Sequence, residues 1–305
     1  MEIGMHTEGF DGLSMEIGMD TGSYKRMPAV EQNGSYAAYA LMREAGFTCA
    51  DLSCICDINN AYYTSDLATA VEMAKCEREA AEAAGIRIHQ VHGPWPTDDT
   101  SAEKRAAKIS IMERAIRLTR AFGSRYLIIH PDMPFGWDNE PDPAFSYGTN
   151  MELFRAILPT AVEEDVILCI ENMPMKAHEI SRTKRMYEFV LEINHPNLGM
   201  CLDTGHANVF GDDCGEMVRM IAPVLKTLHV HDNLGDKDAH LLPFDGTVNW
   251  ESFTDALREV GFSGVMSMEA NLYQNSETPE VLSYAEAAKR MAGLARRLAD
   301  AASAQ

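Results

Sequence analysis

Short apolar runs alternate with longer amphipathic stretches along almost the whole chain, and this rhythm constrains the fold more than any other feature. In the longer stretches apolar residues recur at three- and four-residue spacing, which indicates helices. Asp66 and Ser101 stand where helix N-caps belong. The predicted strands cover residues 15–20, 48–55, 86–92, 126–130, 166–171, 198–203, 227–231 and 265–270, and the predicted helices cover residues 35–45, 66–84, 102–122, 150–163, 178–193, 214–222, 250–260 and 278–300.

Strands that alternate with helices predict a parallel sheet covered by helices, and eight such units predict a closed (β/α)8 TIM barrel. A chain of 305 residues suits one such barrel as a single α/β domain. A doubly wound open sheet is the alternative fold. No glycine-rich phosphate loop follows any of the strands, so we expect no nucleotide cofactor.

The N-terminus carries a near repeat, MEIGMHTEG at residue 1 and MEIGMDTGS at residue 15. Since one βα unit takes about thirty residues and the next strand begins near Thr48, spacing favours the second copy as the first strand. We therefore expect the barrel to cover residues 15–305, with residues 1–14 as an extension of no assigned role. The longest irregular segment, residues 131–149, follows the fourth strand and is typical of a lid or wall over a site.

Composition restricts the partners. The formal net charge of −20 disfavours nucleic acid, because phosphate binding depends on Lys and Arg. We find no long uninterrupted apolar run and no export signal, which predicts a cytoplasmic protein without a membrane anchor. The seven cysteines lack the close pairing of a disulfide scaffold, as expected in a reducing compartment.

Four of the predicted strands end in side chains that bind metals well. VILCIENMP carries Glu171, LGMCLDTGH carries Asp203, TLHVHDN carries His229, and VMSMEAN carries Glu269. In a parallel barrel all strands end on one face, so these side chains are expected to converge. Three carboxylates and one imidazole make a mixed N/O site suited to Mn²⁺, Zn²⁺, Co²⁺ or Mg²⁺, and burying them without a cation would be costly.

Other polar residues enlarge the pattern. His92 and His130 end the third and fourth strands, with Ile88 and Gln90 expected on the same face as His92, and His206 stands three residues after Asp203. His89 and His231 are expected to be ordinary core or surface histidines. Asp238 and His240 form a DxH pair in the loop after the seventh strand.

The strand tips HGP, HPD, ENMP, LDTGH, HVHDN followed by DAH, and MEAN resemble the xylose isomerase-like TIM-barrel superfamily, which includes sugar isomerases, ketose 3-epimerases, dehydratases and endonuclease IV. The resemblance implies that Glu171, Asp203, His229 and Glu269 bind the metal shared by the epimerases. It prefers His229 to His231 because the family pattern is a histidine, two residues, then an acid, here Asp232. It further implies a substrate-contacting role for His206. The ligands of the additional metals of endonuclease IV match His92, His130, His206, Asp238 and His240. The resemblance therefore implies candidates for a second metal or for substrate binding, which are His92, Asp238, His240, Trp95 and Asn172.

Two residues depart from the ketose 3-epimerase pattern, which has a glutamate where this chain has Ala177 and an arginine where it has Gly235. We therefore expect a metal-dependent isomerase or epimerase that acts on a sugar or polyol through an enediolate, without specifying the substrate. Glu171 and Glu269 would be the base and acid, and His206 and His130 would orient hydroxyls or move protons. The alternatives are a dehydratase or lyase, a metal-binding or partner-dependent subunit with little activity alone, and an endonuclease IV-like DNA repair enzyme. The chain is also a candidate homo-oligomer.

Overall fold

A computed structural model of the chain describes residues 15–21, 34–95, 100–271 and 284–303. The prediction of an N-terminal extension over residues 1–14 lies outside these residues. The eight strands are β1 (Ile17–Asp20), β2 (Cys49–Leu52), β3 (Arg87–His92), β4 (Tyr126–Ile129), β5 (Ile167–Glu171), β6 (Leu198–Asp203), β7 (Leu225–His229) and β8 (Met266–Met268).

The strands form one parallel sheet in the order β7-β6-β5-β4-β3-β2-β1-β8. The sheet closes on itself where Val230, directly after β7, pairs with Met268 of β8. Two backbone hydrogen bonds make this closure, from Val230 N–H to the Ser267 carbonyl at 2.8 Å and from Glu269 N–H to the Val230 carbonyl at 3.1 Å. The TIM barrel predicted from the sequence is therefore confirmed, and the open-sheet alternative is wrong.

Helices cover the outside of the barrel between successive strands. Asp66 and Ser101 cap two of them as predicted, accepting the backbone N–H groups of Thr69 and Lys104. None of the helices in the described ranges is both long and apolar enough to span a membrane. The helices are α1 (Ser35–Ala45), α2 (Ala61–Thr64), α3 (Leu67–Ala83), α4 (Ala102–Ala121), α5 (Pro143–Glu163), α6 (Thr183–Ile193), α7 (Thr204–Val209), α8 (Cys214–Ile221), α9 (Trp250–Glu259) and α10 (Tyr284–Ser303), with a 3-10 turn at Glu179–Ser181.

Helix α5 begins at Pro143, seven residues before the predicted start at residue 150, so the irregular segment after β4 is shorter than expected. Asp142 caps this helix by accepting the N–H of Phe145 at 3.0 Å, and Pro143 occupies the first turn. Proline at this position is favourable, because its missing N–H would have no partner within the helix. The remaining loop carries Trp137 to the carboxyl ends of the strands, near Trp95.

Two β-bulges change which side chains point into the barrel. The pairing of β2 with β3 skips one residue at His89, and the pairing of β6 with β7 skips one residue at Lys226. A bulge reverses the alternation of side chains along the strand beyond it. Gln90 accordingly lies inside with His92, but Ile88 packs into the main hydrophobic core, so the prediction that Ile88 shares their face is wrong.

Candidate active site

The carboxyl ends of four strands bring their terminal acids and histidine to one point. Glu171 ends β5, Asp203 ends β6, His229 ends β7, and Glu269 directly follows β8. One potential ligand atom from each of these residues lies within 4.8 Å of the others. Glu171, Asp203 and His229 are completely buried, whereas the Glu269 side chain is 19% exposed. The site is therefore open to solvent on the side of Glu269.

His229 is held from both sides of its ring. Its Nδ1 lies 2.7 Å from Glu171 Oε1 and 3.2 Å from Glu269 Oε2, so this nitrogen faces the acids. Its Nε2 lies 2.7 Å from Oδ2 of Asp51, an acid within β2 that also accepts from Gln90 at 2.7 Å. Histidine ligands commonly use such a carboxylate to fix the ring and its tautomer. Asp51 is not among the site residues predicted from the sequence, although a single acid within the apolar strand CADL is a visible signal.

The two carboxylate oxygens of Asp203 contact different histidines. Its Oδ1 accepts the backbone N–H of His206 at 2.6 Å and caps α7, while Oδ2 lies 3.0 Å from His231 Nε2. The side chain of Asn172 makes two hydrogen bonds to the Asp203 backbone, at 2.8 and 2.9 Å. The Asn172 carbonyl oxygen lies 2.7 Å from His206 Nδ1. Asn172 thus aligns the ends of β5 and β6 and orients His206.

A second group of potential ligands lies beside the first and consists of His206, His231, Asp238 and His240. Asp238 Oδ2 lies 3.2 Å from His206 Nε2 and 3.0 Å from His240 Nε2. His231 stacks on His240 with ring centroids 4.1 Å apart. His231, expected to be an ordinary core or surface histidine, therefore belongs to this group. Its position two residues after His229 on an extended chain is the signal that could have revealed it.

A third group is formed by His92, His130 and Glu171. His130 Nε2 lies 3.1 Å from Glu171 Oε2, and His92 Nε2 lies 3.8 Å from the same oxygen. Trp95 contacts His130 edge-on with ring centroids 4.6 Å apart and stacks on Trp137 at 5.4 Å. Both indoles are substantially exposed, at 46% and 39%. They form an aromatic wall at the rim of the site.

Charges within the first group balance one another. Burial alone would raise the pKa of Glu171, but His229 and His130 hold it well below the usual range. Burial, together with the negative charge of Glu171, raises the pKa of Glu269 to about 8. Burial disfavours the charged form of His229, yet its acidic neighbours keep its pKa well above the usual value. In the absence of a cation, protons on His229 and Glu269 therefore compensate the buried negative charge.

The second group behaves in the same way. Burial opposes protonation of His206, but Asp203 and Asp238 raise its pKa to about 10. Burial likewise opposes protonation of His240, and Asp238 with Glu269 raises its pKa to about 10. His130 differs, because burial dominates there and lowers its pKa to about 4. A neutral His130 can both accept and donate a proton near the mouth of the site.

These residues fit a divalent cation. Among the described residues, Oε2 of Glu269 and Oδ1 of Asp238 are buried and accept no hydrogen bond, although His229 Nδ1 lies 3.2 Å from the former, and each oxygen belongs to one of the ligand groups. An orphaned carboxylate oxygen is costly to bury unless a cation or donor satisfies it. Carboxylate and imidazole donors without thiolates suit Mn²⁺, Zn²⁺, Co²⁺ or Mg²⁺. A cation would replace the protons that these groups otherwise hold.

Comparison with known proteins places the chain among barrels of this kind. The model of the xylose isomerase-like TIM barrel family matches residues 39–294. An uncharacterized protein of Methanocaldococcus jannaschii is 28% identical over 200 residues, which cover 63% of this chain and 68% of that protein. The D-psicose 3-epimerase of Agrobacterium fabrum is 26% identical over 216 residues, which cover 69% of this chain and 71% of that epimerase.

A probable endonuclease 4 of Mycoplasma pneumoniae is 24% identical over 180 residues, which cover 53% of this chain and 60% of that endonuclease. Among solved structures, a D-psicose 3-epimerase crystallised in the presence of D-fructose superposes with a TM-score of 0.72 at 19% identity. That alignment covers 93% of this chain and 96% of the epimerase, and it shows a shared fold. Since the family model spans most of the chain, this protein belongs to the xylose isomerase-like TIM barrel family.

Proposed function

We propose that this protein is a divalent-metal-dependent isomerase or epimerase that moves a proton next to a carbonyl of a sugar or related polyol. The observation that carries the proposal is the convergence of Glu171, Asp203, His229 and Glu269 on one point. Epimerases among the relatives and structural neighbours support the same class of reaction.

Those four residues would hold the cation. When bound, it would act as a Lewis acid that binds neighbouring substrate oxygens and stabilises the negative charge of an enediolate. Asp51 would keep the Nδ1 of His229 directed into the site, through the 2.7 Å contact to Nε2. Asn172 would hold Asp203 in place through the Asp203 backbone.

Glu171 and Glu269 are the candidates for the base and the acid. They come from β5 and from the end of β8, on different sides of the barrel mouth, so they can approach a substrate carbon from different faces. His130, 3.1 Å from Glu171, is positioned to exchange a proton with that carboxylate. His206 would orient a substrate hydroxyl, since its Nε2 faces Asp238 at the edge of the site.

The aromatic wall of Trp95 and Trp137 suits a sugar, because the C–H face of a sugar ring packs favourably on an exposed indole. Two residues in the loops after β5 and β7 favour a substrate other than that of the ketose 3-epimerases. Ala177 replaces their second glutamate and Gly235 replaces their arginine. A dehydratase or lyase would begin from the same enediolate, and the present ligands serve either reaction.

Phosphodiester cleavage of the endonuclease IV type is the second candidate. It is favoured by the two further ligand groups, which together with the first supply ten carboxylate and histidine residues, and all of these except His231 match the endonuclease pattern. The net charge of −20 opposes it, because a DNA-binding surface needs Lys and Arg. We therefore rank proton transfer on a sugar first.

The test combines a metal count with solvent exchange. The purified protein is analysed for bound metals and then incubated in deuterium oxide with a panel of ketoses, keto-glycosides and their phosphates. We expect deuterium at the carbon next to the carbonyl, and we expect Glu171→Gln or Glu269→Gln to abolish its incorporation. Glu179→Gln, at an exposed position beyond β5, is the matched control.

Three outcomes would contradict the proposal. The first is a protein without bound metal that exchanges no substrate after metals are added. The second is exchange at the wild-type rate in both glutamine variants. The third is cleavage of DNA at abasic sites with two or three metals per chain and no exchange on any sugar, which would establish the endonuclease alternative instead.

A further inference from the structure

A cavity of about 460 Å³ opens at the opposite end of the barrel, where the strands begin. Its polar lining includes Arg87 and His89 of β3, Tyr126 of β4 and Lys226 of β7, with Glu16 at the rim. The candidate metal-binding acids lie at the opposite end of the barrel, where β5, β6 and β8 end. The cavity is therefore separate from the candidate active site, and its volume falls in the range of small-ligand pockets.

The two β-bulges of the barrel lie at His89 and Lys226, and both of these side chains line the cavity. Gly199 of β6 makes room for the lysine, because a Cβ there would lie 2.4 Å from Lys226 Cγ. Bulges of this kind redirect side chains and are often found near functional sites. A feature required only for packing would not need two polar side chains turned inward at the same place.

The hydrogen bonds of His89 define its tautomer. Arg87 Nη1 lies 3.1 Å from His89 Nδ1, and since arginine only donates hydrogen bonds, Nδ1 must be the acceptor. Burial, reinforced by the charge of Arg87, lowers the pKa of His89 to about 4, so the ring is neutral near pH 7. Its single proton is therefore on Nε2. That N–H is buried, in a side chain only 6% exposed, and has no partner in the described structure.

Lys226 and Tyr126 add further donors to the cavity. The ammonium group of Lys226 has no ion-pair or hydrogen-bond partner among the described residues, and Tyr126 contributes a phenol. Glu16 is the one acid in the lining, and it pairs with Arg87 at 2.5 Å, where both side chains are about half exposed. The cavity thus combines two cations and one carboxylate with a buried unpaired N–H. A ligand that satisfies these groups must supply acceptor oxygens and negative charge.

We propose that this cavity is a binding site for a small oxyanion, either a phosphate group or a carboxylate, at the N-terminal end of the barrel. The anion would accept a hydrogen bond from Tyr126 and would pair with Lys226, beside the buried unpaired N–H of His89. Because the net charge of −20 repels anions from the molecule as a whole, an anion bound here would be held by these local donors alone.

The experiment is titration calorimetry of the intact protein with inorganic phosphate and, separately, with acetate, at constant ionic strength. We expect one of the two anions to bind. We expect Lys226→Met to weaken that binding by roughly tenfold or more, since a hydrogen bond to a charged group contributes about 1.5–3 kcal/mol. Lys184→Met removes an exposed lysine from α6 and is the matched control, with unchanged affinity.

Tyr126→Phe provides a second variant that keeps the ring and removes only the O–H donor. We expect Tyr126→Phe to weaken binding of the same anion by a smaller factor. This variant still tests the site if Lys226→Met does not fold. The proposal is wrong if neither anion binds at tens of millimolar. It is also wrong if Lys226→Met and Tyr126→Phe both bind the anion as well as the Lys184→Met control does, since the anion would then occupy another site.

Discussion

Asp232 is the residue whose substitution gives the sharpest test of how the second ligand group is held. Its Oδ1 accepts the backbone N–H groups of Asn233 at 2.9 Å and Val248 at 3.1 Å. Its Oδ2 accepts the Phe244 N–H at 3.1 Å and the Trp250 indole N–H at 2.9 Å. One completely buried carboxylate thus anchors the segment that carries the second group of ligands after β7.

Asp232→Asn replaces one of these acceptors with an NH2 group. Whichever way the amide turns, two N–H donors then face another donor, and two charge-assisted hydrogen bonds are lost. At about 1.5–3 kcal/mol each, we expect the free energy of unfolding to fall by about 3–6 kcal/mol. A loss of this size is a large share of the stability of a typical domain, so the loop or the whole barrel should unfold at lower urea.

Urea unfolding followed by circular dichroism measures the change, with metal chelated so that ligand binding does not contribute. Asp236→Asn is the control, because Asp236 lies in the same loop and is exposed. We expect that variant to stay within about 0.5 kcal/mol of the wild type. A loss below about 1 kcal/mol in Asp232→Asn would refute the argument that four donors depend on the carboxylate.

Three further predictions address the metal site and the core. Burial raises the pKa of Glu269 from an ordinary 4.5 to about 8. The stabilisation by the protonated Glu269 side chain is therefore complete below pH 4.5 and is lost as the pH rises to about 8. With metal chelated, the free energy of unfolding of the wild type should fall more between about pH 5 and 8 than that of Glu269→Gln. Asp51→Asn should weaken metal binding by about 10–100-fold in a competitive chelator titration, and an unchanged affinity would show that His229 needs no second partner. Lys108→Met should lower the free energy of unfolding, measured in urea, by about 3–5 kcal/mol. The substitution removes the ammonium group that lies 2.5 Å from the Asp132 carboxylate and leaves that carboxylate buried without its partner cation. A loss under about 1 kcal/mol would contradict this.

Much of the barrel could be predicted because its signals are local. Alternating apolar runs and caps such as Asp66 are visible in a short window, and the shared face of parallel strands then brings Glu171 and Asp203 together. The start of α5 was missed although Asp142 and Pro143 are a favourable cap and first residue, since the surrounding prolines and aromatics suggested a loop. The local signal was present but was outweighed by composition.

The remaining errors arise from pairing between strands. The bulge at His89 exists only relative to β2, and the bulge at Lys226 exists only relative to β6, so a count by twos along one strand cannot detect either. The contact between Asp51 and His229 joins residues that are 178 positions apart. Such contacts depend on the register of the whole barrel rather than on any segment.

The same distinction explains why the ligands are easier to infer than the reaction. The first ligand group lies at strand ends, where the barrel fixes the position of each side chain, and barrels with different reactions can share it. Ala177 and Gly235, which depart from the ketose 3-epimerase pattern, lie in loops after β5 and β7 instead. Gly235 has a φ of 80°, which residues with a side chain rarely adopt, so a larger residue there would favour a different loop path. Under the proposed function, we expect these loops and the aromatic wall to determine the substrate, so exchanging them should change the substrate preference without weakening metal binding.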